Sequence, residues 1–144
     1  MALLTSPPRH AAIIAGSIGE EQFVEGWHHR EEDPRNGMAY RPGTGRSIFV
    51  LRRKPGAERL WLLLSGPVAL AGRPLEGRVR IDGRRHQLPL AVDAWVLRRY
   101  PIDPRRGETL RVELILPEPA IPDRTLSNGD LRPLGWYLSA AWQE

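Results

Sequence analysis

The chain has 144 residues, the length of one domain, and 41% of them are hydrophobic, which supports a buried core. It contains no cysteine, so disulfides, thiolate metal sites and a cysteine nucleophile are excluded. The 21 basic and 17 acidic residues leave a net charge of +4, but the arginine doublets are scattered among acidic residues. We interpret the arginines as solvated strand ends, with a phosphate-binding stripe as the alternative, and expect no nucleic-acid partner.

Segments with strand character begin after a short N-terminal stretch. Residues 1–20 are predicted to form an irregular arm or a single edge element, followed by one β domain over residues 21–144. Residues 46–52 are rich in β-branched and aromatic side chains, which favours a strand. Residues 59–65 form a continuous apolar run that stops at Gly66-Pro67, as expected of a central strand.

The clearest local pattern predicts a hairpin over residues 77–90. Polar and apolar residues alternate around Asp82-Gly83, and an Asp-Gly pair suits a type I′ turn, which requires positive φ at both positions. Further strands are predicted at 94–100, 109–116 and 134–142. We therefore predict an all-β fold, an antiparallel β-sandwich of jelly-roll type with about eight strands. Its predicted core comprises Ile48, Val50, Trp61, Leu63, Val79, Ile81, Leu90, Trp95, Leu97, Leu110, Val112, Leu114, Leu138 and Trp142.

Two polar loops, one near each end of the chain, contain aromatic residues that could face a ligand. An aromatic ring can stack on the apolar side of a sugar, while charged side chains hydrogen-bond the hydroxyls. The rings could instead belong to the core, and Asp130 and Arg132 could pair with each other to fix their loop. The candidate carbohydrate-binding residues are Trp27, Glu31, Tyr40, Arg41, Asp130, Arg132 and Trp136.

The pattern that most suggests a metal is His28-His29, followed by three acidic residues. Adjacent residues of a strand point to opposite faces, so two neighbouring histidines are poorly placed to bind one ion. The spacing also departs from the His-x-His pattern of cupin metal sites. The sequence has no G-x-S-x-G nucleophile elbow and no phosphate-binding P-loop. We therefore predict no catalytic residue, no metal ligand, no cofactor and no enzyme activity.

Four short motifs are spread over residues 26–142. They are Gly26-Trp27 with Glu31, Tyr40-Arg41 before a strand, Ile81-Asp82-Gly83, and Asp130-Leu131-Arg132-Pro133-Leu134-Gly135. With these motifs the chain resembles small β-sandwich domains attached to, or encoded near, bacterial glycosyltransferases and other surface-polysaccharide enzymes. The resemblance implies a carbohydrate-associated accessory module without chemistry of its own.

We therefore expect a non-catalytic module that binds a glycan weakly or docks beside a polysaccharide-building enzyme. Two alternatives stay open: a protein–protein assembly module without a small ligand, which includes a homo-oligomer, and a metal-dependent, cupin-like sugar-modifying enzyme. No apolar run approaches the ~20 residues of a membrane span, so membrane insertion is not expected. The lack of a signal-peptide pattern predicts a cytoplasmic location.

Overall fold

The structure, a computed structural model, describes residues 8–67, 77–89, 91–117, 119–122, 126 and 128–144. A single turn of 3-10 helix at Glu20–Gln22 precedes the second strand. The ten strands of the described residues are β1 Ile13–Ile14, β2 Phe23–Trp27, β3 Glu31–Glu32, β4 Ala39–Arg52, β5 Arg59–Ser65, β6 Arg78–Ile81, β7 Arg84–Gln87, β8 Val96–Pro101, β9 Thr109–Ile115 and β10 Tyr137–Gln143.

The strands pair antiparallel and form two layers that share the long strand β4. One layer contains β1, β10, β5 and β8 beside the start of β4. The other contains β2, the rest of β4, β9, β6 and β7, while β3 pairs with the start of β4. The predicted antiparallel β-sandwich is confirmed. Because β1 and β3 have only two residues each, the longer strands match the predicted number.

The edge strand of each layer, β7 in one and β8 in the other, lies close to that of the other layer. The Tyr100 hydroxyl on β8 donates a hydrogen bond to the Gln87 carbonyl on β7 at 2.8 Å. The His86 and Tyr100 rings also lie 5.3 Å apart, measured between their centroids. These side-chain contacts connect two edge strands that do not pair through their backbones within the described residues, so they link the two layers here.

The core lies between the layers and uses alternate positions of strands such as β5, whereas β4 is buried on both faces from residue 47 to residue 51. Leu60, Leu62 and Leu64 of β5 are at most 1% exposed, and burial of one such side chain stabilises the fold by about 2 kcal/mol. Ile13 is fully buried as well, so the described part of the predicted N-terminal arm contributes a core residue through β1. Other core residues are Phe49, Leu51, Val79, Ile81, Tyr100, Leu110, Val112, Leu114, Leu116, Trp136 and Leu138.

Five residues predicted to lie in the core lie elsewhere. Leu97 is 51% exposed, and the other four side chains are half-buried. In β5 every residue from Leu60 to Leu64 is apolar, so the sequence does not show which alternate set faces inward; pairing with β8 and β10 decides it. Leu90 lies outside the described residues. The predictions that were wrong are Trp61, Leu63, Trp95, Leu97 and Trp142, whereas Ile48, Val50, Val79, Ile81, Leu110, Val112, Leu114 and Leu138 are buried as predicted.

The predicted hairpin is confirmed. Strands β6 and β7 pair through the four residues of each, from Arg78 opposite Gln87 to Ile81 opposite Arg84. Asp82 and Gly83 have φ of 48° and 85°, the left-handed conformation that a type I′ turn requires. Within the described ranges, no helix is long and apolar enough to cross a membrane.

Candidate functional site

A cavity of about 440 Å³ opens beside the turn after β3, the segment before β8 and the segment before β10. Sites for small ligands in proteins range from roughly 300 to 1,000 Å³, so this cavity can hold a sugar. Its lining combines aromatic rings, carboxylates and guanidinium groups. The lining includes Asp33, Arg35, Tyr40, Asp93, Trp95, Asp130, Arg132 and Tyr137.

Three aromatic side chains form one wall of the cavity. The Tyr40 ring of β4 stacks on the Tyr137 ring of β10, with 4.7 Å between centroids and 27° between planes. Trp95 packs against the same Tyr40 ring at 5.4 Å and 57°. Burial raises the pKa of Tyr40 to about 12 and also raises the pKa of Tyr137. Both phenols are therefore neutral near neutral pH.

Asp33 and Arg35 form the first of two similar ion pairs at the cavity. The Arg35 amide and Nε both donate to Asp33 Oδ1, at 2.9 and 3.1 Å, and Nη2 donates to Oδ2 at 2.9 Å. Trp95 Nε1 adds a fourth hydrogen bond to this carboxylate, at 2.9 Å. These donors, led by the Arg35 side chain, hold the pKa of Asp33 well below its usual range. The pair thus orients the Trp95 ring against the cavity.

Asp130 and Arg132 repeat this geometry on the other side. The Arg132 amide and Nε donate to Asp130 Oδ1 at 3.1 and 3.0 Å, and Nη2 donates to Oδ2 at 2.8 Å. The Arg132 side chain lowers the pKa of Asp130 to about 2. Arg132 Nη1 donates to Glu31 Oε1 at 2.9 Å, and the Tyr40 hydroxyl donates to Glu31 Oε2 at 3.3 Å. This network connects the loop before β10 to β3 and β4.

The charges at the cavity are unequal in number. Arg35 Nη1 lies 3.1 Å from Asp93 Oδ1, so each arginine has two carboxylate partners. Four carboxylates, from Glu31, Asp33, Asp93 and Asp130, stand against two guanidinium groups, which leaves a formal charge of −2. Because the bidentate edge of each guanidinium is occupied, the cavity offers acceptors to a ligand more readily than it offers positive charge.

Four of the seven predicted site residues meet at this cavity. Tyr40, Asp130 and Arg132 line it, and Glu31 is bonded to both Tyr40 and Arg132. Asp130 and Arg132 come from a loop about a hundred residues away from β3 and β4, and the pairing of β10 with β4 brings the segments together. Their assignment as ligand contacts stays a prediction.

Trp27, Arg41 and Trp136 lie away from the cavity. Trp136 is only 2% exposed and packs in the core, so it does not present its ring to a ligand. Trp27 packs against Phe23 and donates from Nε1 to the Ile48 carbonyl at 2.7 Å. Arg41 points to the opposite side of β4 from Tyr40, because side chains alternate along a strand. Its Nε donates to the His28 carbonyl at 3.0 Å, and its guanidinium lies over the Phe23 ring.

Other cavity residues were not predicted as site residues, although the sequence contains a signal for two of them. Asp33-Pro34-Arg35 and Asp130-Leu131-Arg132 share the spacing Asp-x-Arg. This spacing lets the aspartate accept both the backbone amide and the side chain of the arginine two residues later. Trp95 and Tyr137 have no comparable local signal, since both lie within predicted strands, where an aromatic residue is as typical of the core as of a site.

The histidine pair shows no metal-binding arrangement. His28 Nε2 lies 2.7 Å from the Pro133 carbonyl, a contact that ties the loop after β2 to the loop before β10. Among the described residues, no three His, Cys, Asp or Glu side chains are placed to hold one ion. Elemental analysis for Zn, Fe and Mn is the direct test of the metal-dependent, sugar-modifying alternative, because a stoichiometric metal would support it.

No family model matches the sequence, and no curated protein matches it significantly. Among solved structures, the chain is similar to a family 35 carbohydrate binding module from an environmental isolate, with a TM-score of 0.48 and 10% identity over 83% of this chain and 86% of that one. It is also similar to the CBM51-2 and INT domains of Clostridium perfringens ZmpB, with a TM-score of 0.41 and 11% identity; 96% of this chain is covered, but only 29% of that chain. At such TM-scores these similarities assign neither a family nor a ligand.

Proposed function

We propose that this chain is a non-catalytic carbohydrate-binding module that holds a sugar in the cavity described above. The observation that carries the proposal is the combination of three aromatic rings and two Asp–Arg pairs on one cavity of about 440 Å³. Sugars present an apolar ring face and a rim of hydroxyl groups, and this lining offers a partner to each.

The aromatic wall supplies the apolar contact. Tyr137 and Trp95 both pack against the Tyr40 ring, so the three rings are held in place before a ligand arrives. Little side-chain entropy is then lost on binding. Carboxylate oxygens of Asp93 and Asp130 can accept hydrogen bonds from hydroxyls, each contributing about 1.5–3 kcal/mol before desolvation. For an open site we expect a Kd on the order of 0.1–1 mM, or roughly −5 kcal/mol.

The charge of the cavity favours a neutral or amine-bearing sugar over an acidic one. Four carboxylates face two arginines whose bidentate edges are already occupied. A uronate or a sulfated sugar would have to displace Asp33 or Asp130 from its arginine to gain a cationic partner. The pKa values of both aspartates are lowered by those arginines, so the carboxylates stay charged and repel an anionic ligand.

A panel of neutral, amine-bearing and acidic oligosaccharides, followed by calorimetric titration of any hit, tests the proposal. We expect Trp95→Ala to weaken binding of a neutral hit by about tenfold or more, as loss of a central aromatic contact does elsewhere. Trp142→Ala is the matched control: Trp142 is also half-buried, but it stacks on Trp61 outside the cavity. The proposal fails if no neutral or amine-bearing sugar binds, or if both variants bind as wild type does.

The proposal includes a setting for the module, beside a polysaccharide-building enzyme in the cytoplasm. Its support is the resemblance of the short motifs at Gly26-Trp27, Tyr40-Arg41 and residues 130–135 to domains that accompany glycosyltransferases. Cell fractionation and co-isolation with a glycosyltransferase encoded nearby test this setting. If the protein is found outside the cytoplasm, or is never isolated with such an enzyme, the proposed setting is wrong. The proposed sugar site does not depend on it.

One observation favours assembly as a second candidate function. On the outer face of the β1–β10–β5–β8 layer, Ile14, Ala140, Leu63 and Leu97 occupy consecutive opposed positions across the four strands. Ile14 is 45% exposed and Leu97 is 51% exposed. A second copy of the chain could cover this row. Light scattering tests the idea: a dimer that Leu97→Lys converts to a monomer supports assembly, and a monomeric wild type rules it out.

A further inference from the structure

Asp93 differs from the other aspartates at the cavity in how much of its carboxylate reaches the solvent. Asp33 and Asp130 each accept the backbone amide and the side chain of an arginine, which occupies both of their oxygens. Asp93 has only Oδ1 near a cation, 3.1 Å from Arg35 Nη1, and its Oδ2 has no partner among the described residues. Its side chain is 56% exposed, against 7% for Asp33 and 25% for Asp130. Asp93 is therefore the aspartate best placed to meet a ligand.

The backbone fixes the position of this carboxylate. The Asp93 amide donates to the Gly66 carbonyl at 3.1 Å, and the Asp93 carbonyl accepts from Arg35 Nη1 at 3.2 Å. Its φ of 56° is the left-handed conformation, which aspartate tolerates better than most residues with a side chain. Asp82, the other non-glycine residue with a positive φ in the described part of the chain, belongs to the hairpin turn. Asp93 instead adopts this conformation where it lines the cavity.

An indole ring is held close to the same carboxylate. Trp95 comes two residues after Asp93 and lines the same cavity. Its Nε1 donates to Asp33 Oδ2, the oxygen that also accepts from Arg35 Nη2. The Asp33–Arg35 pair therefore holds both the Trp95 ring and Asp93. A carboxylate near an aromatic ring suits an ammonium group, which donates charge-assisted hydrogen bonds to the first and makes a cation–π contact with the second.

We propose that the cavity selects a sugar with a protonated amine, and that this ammonium group binds Asp93 near the Trp95 ring. The selectivity rests on the proposed carbohydrate site and names its substrate class. The sugar ring contacts the aromatic wall, and the ammonium group donates to Asp93 Oδ2. A neutral sugar can use the same wall, but it offers Asp93 only a hydroxyl, which lacks the positive charge that strengthens the bond to a carboxylate.

The charge close to Asp93 supports a cationic ligand, although the charge of the whole chain does not. Asp33 and Asp93 both face Arg35, so two negative charges and one positive charge leave this group at −1. The Arg35 guanidinium is bidentate with Asp33, which reduces its repulsion of an ammonium group. The whole chain carries +4. A preference for a cationic sugar must therefore come from the cavity and not from long-range attraction.

The test compares oligomers of glucosamine, N-acetylglucosamine and glucose that have the same length and the same β-1,4 linkage. An oligolysine with the charge of the glucosamine oligomer is added to show whether charge alone is recognised. Titrations are run at about pH 6, where an amine is protonated. Calorimetry at low and high salt measures affinity, and the indole ¹⁵N–H signal of Trp95 reports binding in the cavity.

Two variants with the same change in net charge complete the test. Asp93→Asn removes the charge, keeps the shape and suits the left-handed backbone. Glu58→Gln is the matched control, because it removes an exposed carboxylate that does not line the cavity.

We expect the glucosamine oligomer to bind wild type roughly tenfold more tightly than either neutral oligomer at low salt, and salt to reduce this preference. The preference should largely disappear in Asp93→Asn and persist in Glu58→Gln. It is the ratio of the two affinities that tests Asp93, so a general loss of binding through misfolding is recognised by a displaced Trp95 signal before any sugar is added.

The proposed selectivity is overturned if the glucose oligomer binds as tightly as the glucosamine oligomer, or if Asp93→Asn retains the preference. It is also overturned if oligolysine binds as tightly as the glucosamine oligomer, or if both variants lose the preference equally. Neutral oligomers that shift the Trp95 signal without any preference for the amine leave the carbohydrate site in place and refute only the selectivity. If no oligomer shifts the Trp95 signal, the carbohydrate site itself is wrong.

Discussion

The cavity and the ion-pair cluster around Glu113 use the arginine side chain in opposite ways. At the cavity, Arg35 and Arg132 are each held by two carboxylates, and they order loops and aromatic rings. Around Glu113, the three arginines Arg46, Arg80 and Arg111 share one buried carboxylate, and Arg46 and Arg111 are more than half exposed. An arginine paired with two carboxylates fixes a loop, whereas several arginines around one carboxylate allow that charge to be buried. Each prediction below perturbs one side of this comparison.

The largest effect on stability is expected from Glu113→Gln. Glutamine keeps the shape but removes the charge that offsets three guanidinium groups. We expect the free energy of unfolding to fall by about 2 kcal/mol, less than for a fully buried pair because the arginines reach solvent. Urea unfolding at low and high salt measures it, and salt should recover part of the loss. Glu25→Gln, an exposed control, should change stability by about 0.5 kcal/mol at most; equal effects would contradict this assignment.

A smaller loss of stability is expected from Arg132→Gln at the cavity. The substitution breaks the bidentate pair with Asp130 and leaves that carboxylate and Glu31 without their shared cation. We expect about 1.5 kcal/mol of lost stability, together with loss of binding of any neutral sugar. Arg59→Gln, which removes an exposed arginine from β5, should leave both unfolding and sugar binding as in wild type. If the Arg132→Gln variant still binds sugar, the Asp130–Arg132 pair is not part of the sugar-binding site.

The Asp130–Arg132 pair should also give a defined pH dependence. The pKa of Asp130 is lowered from 3.8 to about 2 in the folded chain, so its ionised form stabilises the fold. This contribution is fully present above pH 4 and disappears as the pH falls to about 2. Comparing urea midpoints of wild type and Asp130→Asn should show a difference of about 1 kcal/mol at pH 5, which shrinks over that window. A difference independent of pH would contradict the assignment.

The smallest effect is spectroscopic and concerns the aromatic wall. Burial raises the pKa of Tyr40 and of Tyr100 to about 12 and also raises that of Tyr137, and the chain has no other tyrosine. Titration of the folded protein by ultraviolet absorbance should therefore show almost no tyrosinate at pH 10, where the urea-unfolded chain is about half ionised. Burial of the neutral phenols stabilises the fold below pH 10, and this contribution is lost as the pH rises past 12. Tyrosinate formed in the folded protein at pH 10 would mean that the tyrosine side chains are open to solvent.

Much of the fold could be predicted from the sequence because its signals are local. The alternation around Asp82-Gly83 and over residues 109–116 specifies strand, register and turn within a few residues. Which face of β5 is buried could not be predicted, because Leu60–Leu64 is apolar throughout and the choice depends on β8 and β10. The exposed Leu97 opposite Leu63 is a consequence of that choice.

The candidate site was predictable only where one loop contains the whole interaction. Asp130 and Arg132 bond within three residues, so their pairing follows from the sequence; their meeting with Glu31 and Tyr40 requires the β10–β4 pairing. The cluster around Glu113 could not be predicted for the same reason. Its three arginines, Arg46, Arg80 and Arg111, are single residues on three different strands, and only the register places them around Glu113.

The indole N–H signals of the five tryptophans test the central claim most directly, since each reports from a known place. Trp95 Nε1 donates to Asp33 at the cavity, Trp27 Nε1 to the Ile48 carbonyl, and Trp61 Nε1 to Glu144. Titration of the ¹⁵N-labelled chain with a neutral oligosaccharide should shift the Trp95 signal saturably and leave those of Trp27 and Trp61 in place. A sugar that shifts Trp61 and not Trp95, or a panel of neutral sugars that shifts no indole signal, would contradict a carbohydrate site in this cavity.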